Sequence, residues 1–140
     1  MSASAASAPE ALAPVRPVFR AVAEAIVPES AALDEAGWRE LERIVEWQLG
    51  ERPPALRRQL VLFLRALNLL PLARYGRTLT SLDVARRSVI LRSVQDSPAL
   101  VLRRGLWGVR TLVFMGYYGR AAAAAEIGYR ADPRGWEARR

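Results

Sequence analysis

Apolar residues recur at three- and four-residue spacing in five stretches of the chain, and no stretch alternates as a half-buried strand would. Val18, Phe19, Val22 and Ile26 form a stripe opposite Arg16, Arg20 and Glu24, which predicts a helix over about 17–27 closed by Pro28. Trp38, Leu41, Val45 and Leu49 repeat the pattern over about 34–49, with Gly50 placed as a C-cap residue and Glu35 four residues ahead of Arg39. Pro53 and Pro54 suit the first turn of a third helix, where a missing N–H costs nothing, and its apolar run lasts to Leu70, before Pro71. Thr80, Ser81, Leu82 and Asp83 read as an N-cap with an acid in the first turn. The fourth helix then runs to about Gln95, with Leu82, Ala85 and Val89 along one side. Ser97 and Pro98 stop and restart the chain, and the fifth helix, about 98–118, is apolar nearly all round from Leu106 to Met115. It also carries Gly105, Gly108 and Gly116. Each internal glycine costs a helix up to about 1 kcal/mol relative to alanine, so close neighbours and a central place in the bundle are expected for it.

The class read from this pattern is all-α: a compact bundle of about five helices over residues 15–119. A Ser/Ala/Pro-rich stretch, 1–14, has the composition of a disordered N-terminus, and an irregular aromatic tail, 120–140, closes the chain.

Composition narrows the chemistry. The 140 residues suit one domain, and they include no cysteine and no histidine. Disulfides, thiolate metal sites, the usual zinc ligand and every Ser-His or Cys-His arrangement are thereby removed. Glu40, Glu42 and Glu46 lie on a helix whose other face is apolar and read as solvated. The glycines lack the strand-to-helix context of a phosphate-binding loop, so no nucleotide site is expected. The net charge is +7, yet every basic residue is arginine, as a G·C-rich coding sequence would produce. Charge is therefore discounted as a sign of a polyanion partner. The doublets Arg57-Arg58, Arg86-Arg87 and Arg103-Arg104 read better as solvated helix faces with some interface salt bridges than as a nucleic-acid surface, because no nucleic-acid-binding motif accompanies them. Trp38 and Trp47 stand nine residues apart on different faces of one helix, one for the core and one a candidate interface anchor. No signal peptide or twin-arginine leader is visible, and the most apolar windows contain Arg65 and Asn68, or Arg103, Arg104 and Arg110, so no spanning helix is expected.

The last quarter is different. Tyr117, Tyr118 and Gly119 are followed by an alanine run, then Glu126, Ile127, Gly128 and Tyr129, Asp132 and Pro133, and Trp136. Free tails are poor in aromatics because nothing there buries them. Such a segment implies a surface to lie on, and two are open: the chain's own helical core or a partner.

The order of these anchors, preceded by Ser-Val-Ile-Leu-Arg-Ser-Val-Gln-Asp-Ser over 88–97 and by the opening helix that ends in Ala25, Ile26, Val27 and Pro28, resembles the gluconate 2-dehydrogenase subunit 3 family. These are the small helical subunits of flavin-dependent GMC-type dehydrogenases, similar also to the helical region preceding the flavin domain of long-chain alcohol oxidases. The resemblance covers about residues 19–136; Arg120 and five alanines stand where the family has a Pro-containing turn. It implies a non-catalytic accessory subunit with no cofactor of its own. The implied partner is a GMC-type large subunit holding FAD, with a cytochrome c subunit beside it in some complexes and no nucleic acid. Tyr117, Tyr118, Ile127, Gly128, Tyr129, Pro133 and Trp136 are the expected partner-interface residues. Cytoplasmic residence is expected as encoded, with export open to a complex whose partner bears a signal. The competing readings are an Arg-rich helical nucleic-acid-binding or regulatory protein, and a small enzyme using Asp or Tyr.

Overall fold

The computed structural model describes residues 11–120, and within them the chain is all-α, with no strand. Five long helices build it: α1, Arg16–Ile26; α2, Glu35–Gly50; α3, Pro54–Leu69; α4, Val84–Gln95; and α5, Leu100–Tyr118. A single helical turn, Leu72–Tyr75, and 3-10 turns at Ala13–Val15, Pro28–Ala32 and Leu79–Ser81 join them.

Local chemistry sets most of the boundaries. Pro17 sits in the first turn of α1, and the extended Val27 before Pro28 ends it, its N–H donating to the Ala23 carbonyl at 2.8 Å. Asp34 caps α2 by accepting from the Gly37 N–H at 2.8 Å. The cap of α4 is Asp83 itself, which accepts from the Arg86 N–H at 2.8 Å. The residues expected to cap it are committed elsewhere: Leu79–Ser81 forms its own turn, with the Thr78 and Ser81 hydroxyls 2.9 Å apart. α5 starts at Leu100, and Ser97 Oγ accepts from the Ala99 N–H just ahead of it.

Packing places α5 against α2 and α4, with lesser contact to α1 and α3, while α1 lies along α4. The core runs through Phe19 and Val22 of α1, Leu41 and Val45 of α2, Leu64 and Leu67 of α3, Ile90 and Val94 of α4, and Val109 and Val113 of α5. The buried side of α4 is thus Ile90, Leu91 and Val94 rather than the Ala85 and Val89 side, because α1 and α5 flank it there. Leu12 is fully enclosed, so packing begins inside the stretch whose composition suggested disorder. Gly105 and Gly116 admit close neighbours as expected. A Cβ on Gly116 would lie 2.8 Å from Val45 Cγ2 and 3.0 Å from the Leu41 carbonyl oxygen, whereas Gly108 faces open space.

Charge pairs bind α1 to its neighbours. Arg16 and Arg20 both donate to the Glu42 carboxylate, Arg20 also reaches Glu35 at 3.1 Å, and Arg87 on α4 donates to Glu24 at 3.1 Å. Glu42 is only 4 % exposed, which corrects its reading as a solvated acid. The two guanidiniums are what make its burial tolerable.

Candidate interaction surface

Helix α5 has two apolar sides, and only one is covered. Leu106, Val109, Val113, Gly116 and Tyr117 face the core. At 3.6 residues per turn, Leu100, Trp107, Thr111, Phe114 and Tyr118 fall within roughly 60° of arc on the other side. They make a ridge about 27 Å long. Trp107 is 71 % exposed, Leu100 48 %, Tyr118 42 % and Phe114 36 %. The ridge is ordered by its own contacts: Phe114 and Tyr118 stack at 6.1 Å, and Thr111 Oγ1 donates to the Trp107 carbonyl at 2.9 Å. A helix apolar nearly all round was expected to be enclosed; here its outward half is presented to solvent.

The double aromatic is split between these sides. Tyr117 is buried and belongs to the core, so it is not available as an outward anchor, while Tyr118 meets it edge-on at 5.0 Å and completes the ridge. Arg120, expected to open the docking tail, is also buried. Its guanidinium lies 4.3 Å from the Tyr117 ring centre and its Nε donates to the Tyr117 carbonyl, so it finishes the helix instead. Ile127, Gly128, Tyr129, Pro133 and Trp136 lie outside the described residues. The ridge residues Leu100, Trp107 and Phe114 were not singled out from sequence. Their i, i+7, i+14 spacing is that of one helix face, but a helix apolar nearly all round does not mark which of its sides stays outside.

Arginines border the ridge. α5 carries Arg103, Arg104 and Arg110 and no carboxylate. Arg110 lies 5.8 Å from the Phe114 ring centre and also lines a cleft of about 210 Å³ between α1, α4 and α5. Ser88, Arg92 and Gln95 of α4 complete its polar rim, and Ala25, Ile26, Leu91 and Leu106 its apolar floor. The cleft therefore joins the end of α1, the 88–97 segment and the middle of α5.

The arginine doublets divide their labour. Arg57 donates to the carbonyls of Leu49 and Arg52, closing the end of α2; Arg87 donates to Glu24 and to the Leu79 and Thr80 carbonyls; Arg103 donates to the Ser97 carbonyl. One member of each pair is thus spent on the fold. Trp38 is in the core with Arg20 over its ring, and Trp47 stands 64 % exposed on α2.

Charge along the chain is uneven. Residues 1–51 hold four arginines and nine carboxylates, whereas residues 52–120 hold thirteen arginines against Asp83 and Asp96 alone. The ridge and the polar rim of the cleft belong to the basic part, while Ala25 and Ile26 of the cleft's floor come from the acidic one. Among the described residues no cluster of potential metal ligands occurs, and no helix is long and apolar enough to cross a membrane. Searches against protein-family models, curated proteins and solved structures gave no match to this chain.

Proposed function

We propose that this chain is a non-catalytic accessory subunit that binds and stabilises an FAD-dependent GMC-type alcohol or sugar dehydrogenase or oxidase. The observation that carries the reading is the uncovered ridge on α5, which ends at Tyr118, inside the motif on which the family resemblance rests. An apolar row of this length with an exposed tryptophan is the anatomy of an interface core. Chemistry in the complex belongs to the large subunit: flavin and substrate sit there, with a cytochrome c subunit as electron acceptor in some assemblies. The small subunit shields apolar surface of the large one during folding and stays bound, and a signal-bearing partner would carry the pair across a membrane.

Co-expression of the full chain with a GMC-type protein encoded beside it tests this. The expected result is one complex, yellow with flavin, in which the large subunit is more soluble and more heat-resistant than when made alone. A chain that purifies alone beside a fully active flavoprotein would sink the reading.

A further inference from the structure

We propose that the α5 ridge and the Arg92–Arg110 cleft form one docking surface for a protein segment that presents apolar side chains edged by carboxylates; the proposal deepens the accessory-subunit reading and rests on it only for where the natural partner is sought. Three observations converge on this chemistry. The ridge exposes Leu100, Trp107, Phe114 and Tyr118 along one narrow row, which fits the apolar stripe of a partner segment better than the plane of a bilayer, where a broad apolar face is immersed. Arg110 belongs to ridge and cleft at once, lying over Phe114 while it lines the cavity with Arg92. Among the described residues no carboxylate lines the cavity or lies on α5, and neither Arg92 nor Arg110 has a salt bridge there, since the nearby Glu24 is taken by Arg87.

Charge complementarity then selects the occupant. A second copy meeting this face through its own α5 would bring three further arginines and no carboxylate to the contact. The segment 121–140, with Glu126, Asp132 and Glu137 against four arginines, is close to balanced and supplies no acidic excess. A partner edge bearing Asp or Glu places a carboxylate in the cleft, where two guanidiniums and the Ser88 hydroxyl donate to it, while its apolar side chains cover Trp107 and Phe114. Aromatic centre and charged rim have separate signatures: the first sets how long the complex lasts, the second sets partner choice and salt dependence.

The test uses the full-length chain with two synthetic amphipathic helical peptides that share a leucine stripe and differ only in flanks of Glu or Lys. Binding is followed by the anisotropy of a fluorophore carried on each peptide, a readout that every variant of the chain leaves intact. The Glu-flanked peptide is expected to bind at least tenfold more tightly than the Lys-flanked one at low salt, with the gap narrowing as salt rises. In the double variant Arg92→Glu, Arg110→Glu the preference should reverse, and in Trp107→Ser, Phe114→Ser both peptides should bind at least tenfold more weakly. Equal binding of both peptides, or binding of neither, overturns the proposal. So does a concentration-dependent dimer abolished by Trp107→Ser, or tighter binding to phosphatidylserine vesicles or single-stranded oligonucleotide through the same residues. The co-expressed flavoprotein separates the two readings. A complex that survives both double variants undiminished rejects this surface and leaves the accessory role standing; peptide discrimination without any flavoprotein complex does the reverse.

Discussion

At Glu42 three charged groups meet, and the carboxylate at their centre is one that water hardly reaches. Its carboxylate, about 5 % exposed, receives Arg16 and Arg20 from the neighbouring helix. Removing one partner of such a cluster leaves buried charge without compensation, which costs more than the pair itself contributes. Glu42→Gln is expected to lower unfolding stability by about 2 kcal/mol, toward the low end because Arg16 is partly solvated and Arg20 keeps Glu35; urea denaturation at neutral pH measures it. Glu35 carries the pH dependence of the same network. The hydrogen bonds from Arg20 hold its carboxyl below the ordinary value of 4.5. A carboxylate depressed on folding contributes stability that is complete above its unfolded value and is lost as pH falls through the lower folded one. The difference in urea midpoint between wild type and Glu35→Gln should therefore stay constant from pH 7 to 5 and close below about 4.5. Glu42 was partly legible in the sequence, four residues after Trp38 on the buried stripe of α2. The rule that carboxylates stay outside masked it, and its partners lie 22 and 26 residues away, where no local periodicity can find them.

Among the elements, α5 shows how one helix answers different neighbours along its length. Alanine at Gly116 would press a methyl group into Val45 and the backbone carbonyl of Leu41, and a carbonyl cannot swing aside as a side chain can. Gly116→Ala is expected to cost about 1–3 kcal/mol by overpacking the α2–α5 seam. Gly108→Ala meets nothing within 4 Å and should raise stability by up to about 1 kcal/mol through helix propensity alone. Thermal melts of the two variants check the opposite signs. Helix positions were readable because periodicity, prolines and Asp caps act locally; all five lie within a few residues of where the pattern puts them. The faces were harder. Val84, Val89, Ile90, Leu91 and Val94 are spread around α4, and only the arrival of α1 and α5 decides that Ile90 and Val94 go inside. The cap of α4 falls at Asp83 and not at Thr80 for a similar reason, since Thr78 and Ser81 satisfy each other and leave Asp83 to the helix.

On the scale of the whole molecule, the five helices leave large apolar side chains uncovered, Trp47, Leu62, Leu69 and Trp107 among them. In α5 most of the surplus lies on one row, with Val101 exposed beside its start, and the sequence alone could not say which row, because both sides of the helix are apolar and only the number of neighbours decides. That asymmetry makes stability and association separable. Trp107 and Phe114 are exposed in the folded chain, so replacing both by serine removes little burial and should change unfolding stability by less than about 1 kcal/mol. The same change should abolish most binding of a hydrophobic dye such as anilinonaphthalene sulfonate, whose sulfonate also suits a border of arginines. Substitutions in the core, Val109→Ala for instance, should do the opposite: about 1–3 kcal/mol of destabilisation with dye binding by the native state unchanged. Dye titration alongside urea melts on both variants measures the separation. If the ridge variant melts as early as the core variant, the ridge is part of the fold and α5 has no free side to offer.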